Sequence, residues 1–200
     1  MRLNASMKYD NFAKWLQFQI IRNSIFTNNR VAKFKPQISE KCDFCALETE
    51  NSYHLFYQCF ISQQFWVQVK QFLLKFDLYL PVTRLPILFG ILDQDSNSVL
   101  NTVIVLGKRL IWICKKTSKK PNLAFFKHSL AEFLNTLKTC FVIQSLGHIF
   151  EGQWGTILLE LLHQDVPQPP LQGPHDQQVW QPGQDQALHH LLRPELQAEH

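Results

Sequence analysis

Apolar residues recur along this chain at spacings of three and four, the period of an α-helix that buries one face. The first such helix is predicted to begin at Asp10 or Asn11, because both residue types cap helices well. Its apolar face comprises Phe12, Trp15, Leu16 and Ile20. A second predicted helix has a glutamine-rich face, and its opposite, apolar face comprises Phe65, Trp66, Val69, Phe72, Leu73 and Phe76. Both stretches are therefore expected to pack on a core.

Two further helices are predicted later in the chain. Residues 99–116 are apolar on nearly every side, which indicates a largely buried helix. Gly107 lies in its middle, where glycine is about 1 kcal/mol less favourable than alanine, so a neighbouring helix is expected to approach closely there. Asn122 is predicted to cap the last helix, whose apolar face comprises Phe126, Leu130, Phe133, Leu137 and Phe141. No stretch alternates in the manner of a strand.

Prolines and composition divide the chain. Pro81 and Pro86 predict that residues 80–90 form a connector, and residues 93–98 are predicted to form a loop. Beyond Gly147 the chain is rich in proline and glutamine, and only residues 155–163 favour a helix. We expect a helical segment at 1–36, a small metal-binding module at 37–62, a helical region at 63–147 and an acidic, disordered tail at 148–200. The predicted fold class is mostly α.

Composition supports a folded protein outside the membrane. The chain has 200 residues, of which 46% are apolar and 18% charged, enough for one hydrophobic core. No apolar run approaches the roughly 18 residues that span a bilayer, and the first ten residues lack the apolar stretch of a secretory signal. We therefore expect an intracellular protein, nuclear or cytoplasmic, with no membrane partner.

The net charge of +4 is the sum of two regions with charges of opposite sign. Residues 1–147 carry 19 Lys and Arg against 9 Asp and Glu, a net charge of +10. Residues 148–200 carry a net charge of −6. A basic body favours binding to a polyanion, because bound phosphates release their counterions. RNA or DNA, bound without strong sequence preference, is the expected partner.

Four residues have the types and spacing of a zinc site. Cys42, Cys45, His54 and Cys59 form the pattern C-x2-C-x8-H-x4-C, and zinc prefers four such ligands at tetrahedral angles. Protein fills all four positions, so a structural Zn²⁺ is expected rather than a catalytic one. His54 and Cys59 would lie about 140° apart on a regular helix, which predicts an irregular turn between them. The alternative is a set of buried free cysteines beside a histidine on a helix face.

This segment resembles a known family. The four ligands, the His-Leu-Phe run at His54 and the aromatic pair Phe65-Trp66 are similar to the zinc-binding segment near the C-terminus of reverse transcriptases from LINE-type non-LTR retrotransposons. The flanking stretches 14–34, 89–116 and 120–134 extend the resemblance over roughly residues 9–144. It implies that the four residues bind zinc and that the segment helps to hold template RNA or target DNA during target-primed reverse transcription.

The same resemblance sets limits on the expected activity. The chain has no paired-aspartate motif of the Tyr-x-Asp-Asp kind and no endonuclease motif, so we expect a C-terminal fragment without polymerase activity. A non-functional retroelement remnant is a further alternative. No glycine-rich phosphate loop or carboxylate pair indicates another enzyme, and the remaining cysteines, Cys114 and Cys140, are expected to be packing residues.

Basic residues on both sides of the zinc pattern are the candidate nucleic-acid contacts. They are Arg30, Lys33, Lys35, Lys41, Lys108, Arg109, Lys115, Lys116, Lys119 and Lys120. Phe34, Phe44 or Tyr53 could stack on unpaired bases. The alternative is that these lysines form solvated faces and favourably charged helix ends.

A protein partner is the alternative to nucleic acid. The Trp66 face, or the Leu-x-x-Leu-Leu matches at 158–162 and 188–192 of the tail, would then meet an apolar groove. Leucine is frequent in the tail, so chance accounts for one such match.

Overall fold

The computed structural model describes residues 11–91 and 98–163. Most of these residues are helical, which confirms the predicted mostly α fold class. The helices are α1 (Asn11–Ile21), α2 (Asn28–Ala32), α3 (Phe60–Leu74), α4 (Arg84–Phe89), α5 (Ser98–Lys116), α6 (Leu123–Ile143) and α7 (Gly147–His163). One turn of π-helix, His54–Gln58, precedes α3. Within the described ranges, β-type pairing is confined to an isolated bridge between Lys41 and Thr49.

The long helices share one hydrophobic core around α5, the most extensively buried of them. Helix α5 contacts α1, α6 and the π-turn, and α6 contacts α3 and α7. The predicted stripe of α3 is buried, except that Phe76 lies beyond the helix end and is half-buried. Gly107 of α5 faces α3, where the ring of Trp66 lies against it, as its mid-helix position predicted. The core thus joins the segment that contains the zinc pattern to the helices that follow it.

The structure confirms the helix cap predicted at Asn122. Helix α1 begins at Asn11, and the side chain of Asn122 accepts a hydrogen bond from the backbone N–H of Phe125 at the start of α6. This bond satisfies one of the N–H groups that the first turn of a helix leaves without a partner. On the buried face of α6, Leu134 takes the place predicted for Phe133, which is half-buried.

One short helix lies where a connector was predicted. Helix α4 contains Pro86, the residue that was expected to exclude a helix from residues 80–90. Pro86 is the third residue of α4, within the first turn, where a backbone N–H has no intrahelical partner and its loss costs nothing. Helix α2 lies within the helical segment expected at residues 1–36.

Helix α7 differs from the predicted organisation, in which the tail began at residue 148. Its residues Phe150, Trp154 and Ile157 are buried in the common core, and the rings of Phe141 and Phe150 lie 6.2 Å apart, edge to face. Residues 147–163 therefore belong with the helical body. The predicted disorder of the tail and the leucine match at 188–192 lie outside the described residues. No helix in the described ranges is long and apolar enough to cross a membrane.

Candidate metal centre

The first two candidate ligands lie in a tight loop. The backbone N–H of Cys42 donates to the carbonyl of Glu48 at 2.9 Å, and that of Glu50 donates to the carbonyl of Glu40 at 2.8 Å. Between these rungs, Ala46 adopts a left-handed conformation with φ of 56°, and its N–H donates to the Cys42 carbonyl. The chain therefore reverses directly after Cys45, which brings its thiol to the same side of the loop as that of Cys42.

The other two candidate ligands begin and follow the π-turn. The backbone N–H of Cys59 donates to the carbonyl of His54 at 2.8 Å, an i to i+5 hydrogen bond. Because this turn is wider than an α-helical turn, residues five apart return closer to the same side. Asn51 caps the turn by accepting the His54 N–H at 2.8 Å. The irregular turn predicted between these ligands is confirmed.

The four ligand atoms lie within 4.8 Å of one another. Cys42 Sγ is 3.9 Å from Cys59 Sγ, and Cys45 Sγ is 3.4 Å from His54 Nε2. With Zn–S bonds of about 2.3 Å and Zn–N bonds of about 2.0–2.1 Å, tetrahedral angles require S–S separations of about 3.8 Å and S–N separations of about 3.6 Å. The donor set and its spacing therefore fit a tetrahedral metal ion.

Burial determines the protonation of these ligands. Cys42, His54 and Cys59 are buried, and Cys45 is half-buried. Burial lowers the pKa of His54, so its imidazole is neutral, as metal binding requires. Cys42 donates a hydrogen bond to Cys59, which lowers the pKa of Cys59 and, together with burial, raises the pKa of Cys42. The hydrogen bond thus favours the thiolate form of Cys59, while Cys42 holds a proton that a metal ion would displace.

A buried ion cluster holds this loop against α5. The Lys115 ammonium lies 2.7 Å from Glu50 Oε1, pairs with Asp43 and donates to Asn28 Oδ1 at 2.8 Å. Glu50 is fully buried, and its carboxylate also accepts the backbone N–H groups of Asn28 and Asp43. Although burial opposes ionisation of Asp43, hydrogen bonds from Lys115 and Asn28 hold the pKa of its carboxyl below the ordinary value. The loop, α2 and the end of α5 are thereby fixed together.

This cluster was not found from the sequence. Lys115 was predicted to contact nucleic acid, and no role was predicted for Glu50. Their partnership joins residues 65 positions apart, and no local pattern signals it.

Comparison with known families agrees with this site. Residues 4–66 match the family described as zinc-binding in reverse transcriptase. The matched stretch contains all four candidate ligands and ends at Trp66 in α3. No curated protein matches the chain. The match supports a reverse-transcriptase type of zinc-binding region over these residues.

Two of the predicted nucleic-acid contacts are wrong, because their side chains are buried. Lys108 is 1% exposed, and its ammonium donates to Gln17 and to the Leu88 carbonyl in the core. Burial lowers its pKa to about 7. Lys115 is enclosed by the carboxylates of the ion cluster. Neither amine is available to a phosphate backbone.

The other predicted basic residues are more accessible. The exposed ones are Lys33, Lys35, Lys41, Lys116, Lys119 and Lys120, whereas Arg30 and Arg109 are half-buried. Of the candidate stacking residues, Phe34 is 54% exposed and Tyr53 is half-buried, but Phe44 is buried and unavailable to a base. Lys116, Lys119 and Lys120 together leave a basic surface at the end of α5.

The surface proposed for a protein partner is also corrected. Trp66 is fully buried, and its indole N–H donates to the Phe56 carbonyl at 2.8 Å. Its face therefore cannot meet another protein. In the leucine match of α7, Leu158 and Leu161 are buried, while Leu159 and Leu162 are exposed. The motif thus contributes to the core of this chain.

Proposed function

We propose that this protein is a zinc-binding, nucleic-acid-binding fragment of the kind found in the C-terminal region of LINE-type reverse transcriptases. Cys42, Cys45, His54 and Cys59 would hold one structural Zn²⁺. The observation that carries the proposal is the convergence of these four side chains within a stretch that matches a reverse-transcriptase zinc-binding family.

The chemistry of the donor set favours zinc among the divalent metals. Three sulfurs and one imidazole are soft or borderline ligands, which hard cations such as Mg²⁺ and Ca²⁺ avoid. With four protein ligands no position remains for a reactive water, so the ion would stabilise the fold. It would join the loop that contains Cys42 to the π-turn before α3.

Charge supports nucleic acid as the partner. Residues 1–147 carry a net charge of +10, and most of the predicted basic contacts outside the core are exposed. Lys119 and Lys120 follow α5 on an exposed turn, and Lys33 and Lys35 follow α2. These groups would bind phosphates of RNA or DNA without reading the base sequence.

Zinc stoichiometry of the purified full chain tests the metal assignment. Wild-type protein and the Cys140→Ser control should each contain one Zn²⁺, because Cys140 lies outside the cluster. A variant with Cys42→Ser and Cys45→Ser should contain none and should lose cooperative unfolding. A wild-type protein that folds and unfolds cooperatively without metal would overturn the assignment.

A salt titration tests nucleic-acid binding. The affinity for a fluorescent oligonucleotide should fall steeply as salt rises, because each neutralised phosphate releases counterions. A double variant with Lys119→Gln and Lys120→Gln should reduce the slope of log affinity against log salt by about two. An affinity that does not respond to salt, or no binding at all, would contradict the proposal.

A further inference from the structure

A cation and two stacked aromatic rings lie together beside the candidate metal centre. The guanidinium of Arg84, at the start of α4, lies 4.6 Å from the ring centroid of Tyr53. The rings of Tyr53 and Tyr57 are stacked, with centroids 5.7 Å apart and planes 25° from parallel. Arg84 is exposed, whereas both tyrosines are half-buried. The guanidinium is therefore the most accessible of the three groups to a ligand from solvent.

Hydrogen bonds through Asn23 connect this stack to Arg30, and a further arginine, Arg22, precedes Asn23 in the chain. The hydroxyl of Ser52, next to Tyr53, donates to Asn23 Oδ1 at 3.1 Å. The carbonyl of Asn23 in turn accepts from Arg30 Nη1 at 2.8 Å, and Arg22 is the preceding residue. We call Arg22, Arg30, Tyr53, Tyr57 and Arg84 the arginine–tyrosine patch.

The positive charge of the patch is not neutralised within the fold. In residues 11–91 and 98–163, no carboxylate forms an ion pair with any of its three arginines. Lys115, by contrast, has two carboxylate partners. The guanidinium groups instead lie over aromatic rings, Arg22 over Phe18 at 5.0 Å and Arg30 over Phe26 at 5.8 Å. Apart from the Arg30 N–H that donates to the Asn23 carbonyl, the guanidinium donors can meet an external anion.

We propose that the arginine–tyrosine patch binds single-stranded nucleic acid by stacking one unpaired base on the Arg84–Tyr53 pair. This proposal rests on the proposed nucleic-acid function and names the surface and the form of the ligand. Arg22 and Arg30 bind phosphates of the same strand. A base stacks well on a guanidinium plane, particularly when an aromatic ring supports the plane from behind.

The geometry selects a single strand over a duplex. In a duplex the faces of the bases are covered by their neighbours, so only an unpaired base can offer its plane to Arg84. The guanidinium already lies on the Tyr53 ring, which reduces the entropy lost when a base binds.

The test separates stacking from charge. Fluorescence anisotropy would measure binding of the zinc-loaded full chain to a 15-nucleotide oligothymidine and to an abasic strand with the same length and charge. Wild-type protein should prefer the strand with bases by about fivefold or more. Arg84→Lys keeps the charge but loses the planar stack, so it should bind both strands alike and with an unchanged salt slope.

Two variants serve as controls. Arg84→Gln should lose the preference for bases and should also lower the salt slope by about one. Lys70→Arg changes a cation that lies over the ring of Tyr79, outside the patch. It should leave the preference for bases and the salt slope unchanged. Zinc content should be equal in all variants, which excludes loss of the fold as the cause.

The outcomes distinguish the two proposals. If wild-type protein binds both strands equally, or if Arg84→Lys retains the preference, the stacking site is overturned while salt-sensitive binding still supports the proposed function. If no strand binds, both proposals fail, and a role of the patch in binding an acidic protein becomes the competing explanation.

Discussion

The indole ring of Trp66 lies directly against the backbone of Gly107. A Cβ atom at Gly107 would stand 2.7 Å from Cζ3 of Trp66, closer than real side-chain contacts allow. The ring cannot move aside, because it is fully buried and its N–H donates to the Phe56 carbonyl in the π-turn. Through this ring, the packing of α5 is connected to the turn that bears His54.

Gly107→Ala should therefore destabilise the protein although alanine favours helices. The gain in helix propensity, about 1 kcal/mol, is smaller than the cost of forcing a rigid ring out of a packed core, so we expect a net loss of about 1–2 kcal/mol. Urea unfolding would measure it. Trp66→Phe removes the outer ring, so Gly107→Ala should cost less in that background. An alanine variant as stable as the wild type would show that α3 and α5 can separate at little cost.

Lys115→Met should be strongly destabilising. The substitution leaves the buried carboxylate of Glu50 without its cation, and breaking a buried pair in this way costs about 3–5 kcal/mol. Adding Glu50→Gln should restore part of the loss, because the neutral amide removes the uncompensated charge. Thermal unfolding of the two variants provides the comparison. As a matched control, Lys75→Met breaks an exposed pair with Glu160 and should change stability by less than about 1 kcal/mol.

Lys108 should make stability depend on pH above neutrality. Below pH 7 its amine is protonated in both the folded and the unfolded chain, and burying that charge costs free energy. Between pH 7 and about 10.5 the unfolded chain binds a proton that the folded protein does not, so the free energy of unfolding rises with pH, approaching about 1.4 kcal/mol per unit.

Lys108→Met removes this dependence. Urea unfolding of both proteins at pH 7 and pH 9 should show the wild type gaining stability relative to the variant, since other titrating groups cancel in the difference. A constant difference across this range would mean that the amine stays charged in the core.

Zinc affinity should fall as pH is lowered. Metal binding must displace the proton held by Cys42. The hydrogen bond to Cys59 and burial both raise the pKa of this thiol, so at least one proton is released when the metal binds. The affinity should then change by about tenfold or more per pH unit near neutrality. Competition with a chromophoric chelator at pH 6.5 and 7.5 measures this change. The same affinity at both values would exclude coupled proton release.

Local patterns predicted the features that depend on local rules. The stripe of α3, the cap at Asn122 and the irregular turn after His54 follow from helical periodicity, side-chain capping and ligand spacing. The close approach at Gly107 followed from the cost of glycine within a helix. Each of these needs only residues near in sequence.

Contacts between distant segments determine the features that local patterns did not predict. Lys108 and Lys115 belong to a set of basic residues that is typical of a protein surface. Their hydrogen-bond and ion-pair partners, Gln17 and Glu50, come from distant segments of the chain. Helix α4 was not predicted because proline disfavours a helix interior, whereas Pro86 lies in the first turn, where proline is tolerated.

The matched stretch 4–66 depends on a helix that lies beyond it. Its last residue packs its ring on Gly107, and its buried carboxylate at Glu50 takes its cation from Lys115, eight positions further along α5. A peptide ending at residue 66 would expose both an indole and an unpaired charge. The limit of recognisable similarity is thus not a folding boundary: to transplant this metal site into another scaffold, one must also supply a helix with a small residue and a cation in these two places.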